Sequence, residues 1–446
     1  MPANKQNKSM IEQKILFDTI KTLLVKANTV LDKSVFECFS MKEMDDNKMS
    51  FILQNAYLAS RNNRPLCQDT GQVLVFLKLP YSFSFIYNFK KVINDAVKET
   101  YEQEFYRKSV VKDAIFDRTN TGSNTPAIIY TDFEDRESVK IDILIKGGGA
   151  ENMSFIEMFN PTSSQEEIIE KLSQKINERA KNACPPLFIG IGAGGTMDYA
   201  AMLSKKALFE GAKNDFCEKL KNLCKDVLSV KMISTSTHIA SLPVAVTVNC
   251  HSNRHSSCEI GKNGVIFNDI KYNLTPVNID LSDYKKINTN NIEEIKNLKE
   301  GEKILLSGTI YTMRDAAHKK IFELLKDGQK LPFEIKNSVI FYAGPAPKKE
   351  GEVIGPIGPT TAKRMDKFAP KLYDLGCIAT IGKGNRSEEV KEACKRNNAY
   401  YFSAYGGIAC YLQKSFKNAE LIAFEELGTE AIRRFEIEDL PLTVEI

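Results

Sequence analysis

The sequence has no C-x-x-C pair, no apolar run near the roughly 18 residues needed to span a bilayer, and no block of like charge. The first absence leaves a zinc ribbon or a ferredoxin-type cluster without its usual spacing. The second excludes a helical membrane anchor. The third argues against nucleic acid, because Lys+Arg 61 against Asp+Glu 57 gives only +4, spread along the chain. An anionic small substrate stays open, since a few arginines in one cleft would not show in the total. Internal repeats and low-complexity tracts are also missing. The first ten residues, MPANKQNKSM, are polar and basic with no apolar segment behind them, so the chain reads as cytoplasmic.

What is present is an ordinary globular composition. The chain has 446 residues, 43% apolar and 26% charged, enough for two or three domains with sizeable cores. Its ten cysteines, without a secretion signal, are expected to be reduced and to serve as core residues or ligands.

The N-terminal two thirds carries helical patterns. In TSSQEEIIEKLSQKINERAKNAC, Ser164 and Glu167 form a capping box, and Ile168, Leu172, Ile176 and Ala180 recur every four residues. That helix leads directly to Cys184. Residues 270–300 turn polar and rich in Asn, Lys and Asp, placing a domain break near 271. Beyond it, apolar runs (KILLSGTIYT, SVIFYAGPAP, CIATIGKG, LIAFEEL) alternate with helical text (DAAHKKIFELLK, SEEVKEACKRN). The expected fold is therefore α/β (α+β), with a helix-rich N-terminal lobe, 1–271, and a smaller β/α lobe, 272–446.

The text CPPLFIGIGAGG raises two readings. A dinucleotide site needs its glycine turn inside a strand-turn-helix-strand unit, with an acidic residue roughly twenty positions on. After these glycines the text reads as helix followed by helix, with the second strand missing. The cysteines divide by context: Cys217, Cys224 and Cys394 sit in amphipathic helical text and read as packing. Cys67 in RPLCQDTG, Cys184 in ACPP and Cys250 in NCHSNRH instead lie in polar or Pro/Gly-rich loops at the ends of apolar stretches. Three such thiolates suggest one site built from distant parts of the chain. Fe–S clusters normally take four cysteines, so three would leave an iron open to act as a Lewis acid on a hydroxy acid.

At these residues the sequence resembles the class I iron-sulfur hydro-lyases, the oxygen-sensitive fumarases and the tartrate dehydratases. The resemblance is carried, in order, by RPLCQDTG, YRKSVV, IKGGGAENMS, ACPPLFIGIGAGGT, STHIASLPVAVTVNCHSNRH, LSGTIYTMRDAAHKK, AGPAP, IGPTTAKRMDKFAP and IGKG, spanning residues 64–384. It implies an N-terminal cluster lobe fused to a mobile β/α lobe, a [4Fe-4S] cofactor, a small dicarboxylate substrate (fumarate/L-malate) and a homodimer that binds neither nucleic acid nor membrane.

The resemblance implies Cys67, Cys184 and Cys250 as cluster ligands. Gln68 and Asp69 match its cluster-side polar pair, with Asp69 a candidate proton donor to the departing hydroxyl. Arg107 and Gly148 match substrate-contacting positions, and His238, one of only four histidines, matches an active-site residue near the acid. From the second lobe, Arg314, Thr361, Arg364 and Lys383 match residues that hold or act on the substrate, Lys383 among the catalytic ones; planar Arg forks suit its distal carboxylate. Thr360 matches the base that removes the carbon-bound proton, a role in which a hydroxyl needs activation by its surroundings. The glycines after Cys184 would then bring backbone N–H groups to the cluster sulfides. Two positions depart from the pattern, Ala150 where a serine is usual and Lys363 where a glycine is usual, and Cys258 leaves the third ligand open.

The expectation is a hydro-lyase that interconverts L-malate and fumarate with water. Its rivals are tartrate dehydration to oxaloacetate, an NAD-dependent oxidoreductase on GIGAGG, and a non-catalytic cluster protein.

Overall fold

Sixteen strands in three sheets organise the computed structural model, which describes residues 11–40, 47–268 and 274–446. The expected break at 271 and the N-terminal MPANKQNKSM lie outside the described residues. No described helix is long and apolar enough to cross a membrane.

Nine strands come first: β1 (Gln72–Pro80), β2 (Ile128–Glu134), β3 (Val139–Lys146), β4 (Phe155–Phe159), β5 (Leu187–Gly195), β6 (Val227–Thr237), β7 (Leu242–Asn249), β8 (His255–Gly261) and β9 (Gly264–Phe267). They form a five-stranded sheet in the order β2-β1-β3-β8-β9 and a four-stranded sheet in the order β4-β7-β5-β6. Helices Gln13–Thr29 and Phe89–Gln103 cover the first sheet, burying Leu16, Ile20 and Leu23 with Val73, Val75, Ile141 and Ile143. The second sheet is covered by the helix Gln165–Ala180. Its capping box is formed: the Ser164 N–H donates to Glu167 Oε2 at 3.0 Å, and the Glu167 N–H donates to Ser164 Oγ at 3.1 Å. Its Ile168, Leu172, Ile176 and Ala180 stripe is buried against Ile189 and Val246.

The remaining strands are β10 (Lys285–Asn288), β11 (Lys303–Thr312), β12 (Val339–Phe341), β13 (Ala379–Gly382), β14 (Tyr400–Ser403), β15 (Phe416–Ala423) and β16 (Ile432–Val444). Strands β10 to β14 run parallel in sequence order, with helices such as Asp315–Lys326 and Glu388–Asn397 as crossovers. β16 runs antiparallel to β11, β14 and β15, so β11, β12, β13, β14 and β16 close into a ring. β10 and β15 stand outside the ring as the edge strands of this sheet. The α/β expectation holds, and no sheet mixes strands from before and after residue 271.

One reading is corrected. GIGAGG is no turn: it lies within β5, and a second strand does follow, since β6 pairs with β5 in parallel. What the glycines provide is close packing. A Cβ on Gly190 or Gly192 would stand 2.1 Å from the carbonyl oxygen of Ser204 or Ala200 in the helix Met197–Glu210. β5 is paired on both sides, so these N–H groups serve the ladders with β6 and β7, and neither a phosphate nor cluster sulfides. Cys217, Cys224 and Cys394 are core residues as expected. Cys258 is fully buried in the apolar core of the first sheet, which removes it as a ligand candidate.

Candidate active site

Strand pairing explains how distant loops meet. β1 is antiparallel to β3 with Gln72 opposite Lys146, so the loop entering β1, with Cys67, Gln68 and Asp69, faces the turn leaving β3, with Gly148. β5 is antiparallel to β7 with Phe188 opposite Asn249, which sets Cys184 at the start of one strand beside Cys250 at the end of the other. The Lys146 ammonium ties the two sheets together by donating to the Val248 carbonyl at 2.5 Å. In the C-terminal sheet, Arg314 follows β11 and Lys383 follows β13, so both stand at the carboxyl ends of parallel strands of the ring. A bridge between Thr361 and Lys383 brings the Thr360–Thr361 segment beside the end of β13, and the Lys383 N–H donates to the Thr360 carbonyl at 3.2 Å.

The three thiols are unpaired, and they share one electrostatic environment. Burial pushes the Cys67 thiol up to about 12; Arg254 opposes this, while Cys250, Asp69 and Cys184 add to it. Lys383 Nζ lies 2.6 Å from Cys184 Sγ. Burial disfavours its charge, but Cys184, Cys67 and Cys250 outweigh that and raise its pKa. Cys250 Sγ is 3.1 Å from Ser252 Oγ, and Cys67 Sγ is 3.4 Å from Gln68 Oε1. Among the described residues, no trio of His, Cys, Asp or Glu is placed to hold a single metal ion. Three thiols from three loops, with Lys383 and Arg254 as neighbouring cations, are donors of the kind an iron-sulfur cluster takes.

Charged side chains surround Cys67 and its neighbours. Asp69 Oδ1 is 3.0 Å from Arg107 Nη2, its Oδ2 accepts the Gly148 N–H at 2.9 Å, and its carbonyl accepts from Arg254 Nη1 at 2.6 Å. Burial would raise the Asp69 pKa, but Arg107, Arg254 and the Gly148 N–H together hold it down at about 2, so it is a carboxylate here. Arg107 also donates to the Gly344 carbonyl of the second lobe at 3.0 Å. Arg314 is paired with Glu430 at 3.1 Å, and its Nε has no partner. Burial lowers its pKa to about 10; Glu430 opposes that, and Arg107 and Arg364 add to it. Arg107 and Arg364 therefore both lie within electrostatic range of Arg314. Arg364 is the accessible member, 42% exposed and 2.6 Å from Asp315. Thr360 is half-buried, and Thr361 Oγ1 reaches the Asn182 carbonyl at 3.5 Å.

His238 is placed differently. It sits at an exposed turn between β6 and β7, its Nδ1 accepting the Ala240 N–H at 3.1 Å, and Ile239 beside it is 91% exposed. Within the chain it does not join the other candidates.

Two models describing fumarate hydratases match nearly the whole chain: Fumarate hydratase (Fumerase) over residues 17–223 and 224–259, and Fumarase C-terminus over residues 265–446. The chain belongs to the class I fumarate hydratase family. It is 30% identical to Fumarate hydratase 2 of Leishmania major over 440 residues, covering 87% of this chain and 76% of that one. It is 28% identical to the aerobic class I fumarate hydratase of Escherichia coli K12 over 441 residues, covering 87% and 79%. A putative L(+)-tartrate dehydratase subunit alpha of Methanocaldococcus jannaschii is 32% identical over 241 residues, covering 48% of this chain and 84% of that one. As a class I fumarate hydratase family member the chain is a lyase, specifically a hydro-lyase.

Sequence reasoning missed Arg254, the largest fully buried side chain, which neighbours both Asp69 and Cys67. It stands in the quoted stretch NCHSNRH, but an arginine in polar text gives no sign of burial. His251, in the same stretch, gives no sign of burial in the sequence either. It is buried, 3.2 Å from the Gly407 carbonyl, and burial lowers its pKa to about 4, leaving it neutral.

Proposed function

We propose that this hydro-lyase interconverts fumarate and L-malate at a [4Fe-4S] cluster held by Cys67, Cys184 and Cys250, in a reducing compartment such as the cytoplasm. The observation that carries the reading is the convergence of three unpaired thiols with Lys383, Asp69 and three arginines from both lobes. A bound cluster with one iron free of protein ligands would polarise the substrate's C–O bond.

The protein groups do the remaining work. Arg107, Arg314 and Arg364 bind the two carboxylates, with Gln68, Thr361 and the Gly148 N–H fixing orientation. An incoming carboxylate competes with Asp69 for Arg107. Losing that partner lets the Asp69 pKa rise, so the group that is ionised without substrate can hold a proton once substrate is bound. Thr360, one residue from the Thr361–Lys383 bridge, takes the carbon-bound proton as its alkoxide, its own proton having left to solvent before the second lobe closes, and the Lys383 ammonium stabilises that negative charge. The division 1–271/272–446 makes the second lobe a mobile cover that excludes water. Tartrate dehydration is the second reading, favoured by the tartrate dehydratase relative and by the same cationic set.

The test is anaerobic turnover of cluster-loaded protein with L-malate and each tartrate isomer. Fumarate from malate, lost on exposure to air, is expected. Oxaloacetate from one tartrate isomer with no malate turnover would replace the fumarase reading. Activity that survives air would count against the open iron.

We also propose a homodimer in which the exposed His238–Ile239 turn is covered by the second copy, bringing His238 to a site it does not reach within its own chain. Light scattering should give twice the chain mass. A monomer that is fully active would remove the role assigned to His238.

A further inference from the structure

The second lobe touches the cysteine loops directly at a turn that no motif had marked, Tyr405–Ile408 in SAYGGIAC. A Cβ built on Gly406 would stand 2.3 Å from Cys184 Sγ, 3.1 Å from Cys184 Cβ and 3.3 Å from Lys383 Cδ. One on Gly407 would stand 2.4 Å from His251 Cε1, beside Cys250. Asn55 fastens the turn from the N-terminal side: its amide lies 3.3 Å from the Gly407 carbonyl, and its Oδ1 accepts the N–H groups of Cys410 and Tyr411 at 2.9 and 3.1 Å. Behind the turn is a cavity of about 240 Å³, lined by Lys48, Cys184, Lys383, Tyr405 and Gly406 among others. The turn and Cys184 thus share one wall.

We propose that this turn is part of the cluster's seat: Gly406 leaves the space in which the Cys184 sulfur is held, so cluster retention depends on a second-lobe residue that ligates nothing. The inference rests on the cluster reading above. Gly406 is absent from the residues with left-handed φ, so alanine there meets no backbone strain but crowds Cys184 Sγ most closely, and Cys184 Cβ and Lys383 Cδ less so. The easiest relief is rotation of Cys184 χ1, which carries Sγ away from its place and removes one of three ligands.

The test uses full-length chain with anaerobic cluster reconstitution, reading iron and sulfide per chain and the visible absorption of the cluster. Gly406→Ala is expected to keep the circular dichroism of the cluster-free protein while losing more than half of the iron and sulfide, and its cluster-free Cys184 should be alkylated by iodoacetamide at a changed rate. Gly261→Ala, where an added Cβ makes only an ordinary 3.7 Å contact, should retain wild-type iron. Wild-type iron content in Gly406→Ala would overturn the proposal. Should that variant not fold, hydrogen exchange on the wild type decides: amides 404–409 should slow when the cluster is loaded, and unchanged exchange would overturn it. A wild-type chain that takes up no cluster at all would instead overturn the cluster reading itself.

Discussion

Arg364 and Thr360 lie four positions apart, yet the structure gives them separable tasks. The Arg364 guanidinium is 42% exposed and held by Asp315, so it can be offered to a carboxylate by exchanging one anion for another. Arg364→Ala should raise KM and lower kcat/KM by about 10- to 100-fold, the worth of a charge-assisted hydrogen-bond pair, with a smaller effect on kcat. Thr360→Ala should lower kcat by about 10²- to 10⁴-fold, as for a lost general base, with KM little changed. Steady-state kinetics with L-malate on both variants checks the split; a pure KM effect at Thr360 would remove it as the base. At this scale the sequence distinguished the cysteines in polar or Pro/Gly-rich loop text, Cys67, Cys184 and Cys250, from those in helical text, and the structure brings those three loops near one another. The sequence was silent on Arg254 and Gly406, because burial of an arginine and the neighbour of a glycine are set by chain segments far away in sequence.

Among elements, legibility followed length and periodicity. KILLSGTIYT coincides with β11, DAAHKKIFELLK with the helix Asp315–Lys326, and the Ser164–Glu167 box with the start of the helix Gln165–Ala180. SVIFYAGPAP keeps only Val339–Phe341 as strand, since the prolines after it cannot donate to a ladder. GIGAGG misled because glycines in a strand and glycines in a phosphate turn look alike in one dimension. What separates them is the helix Met197–Glu210 crossing β5 so closely that Gly190 and Gly192 have no room for a side chain. That crossing fixes β5, and through it the position of Cys184 at the strand's entrance. The left-handed backbone of Cys184, φ 61°, belongs to the same entry turn. The cysteine's location is therefore determined by packing on one side and by the Gly406 turn on the other.

Across the whole molecule, the N-terminal region and two neighbouring strands of the first sheet, β3 and β8, meet at His255. Its Nε2 is 2.9 Å from Asp142 Oδ1 and its Nδ1 is 3.6 Å from Asp32 Oδ2, while its ring stacks on Phe209 at 4.6 Å. Burial disfavours the imidazolium, but the two carboxylates outweigh it and raise the pKa above the usual value of 6.5. Lys140, 3.4 Å from Asp142, is the competing cation. Because the folded chain binds the proton more tightly than the unfolded one, this contribution is complete below about pH 6.5 and is lost as pH rises through the raised folded value. Wild type should therefore lose stability relative to His255→Gln between about pH 6 and the alkaline side of that titration, with the gap at the acid end about 1.5–3 kcal/mol, as expected for hydrogen bonds to charged groups. Urea unfolding of cluster-free protein at a series of pH values measures it. A difference between the two proteins that does not change with pH would mean that His255 contributes as a packed neutral ring, and that the contact joining these three parts of the chain is steric and carries no charge.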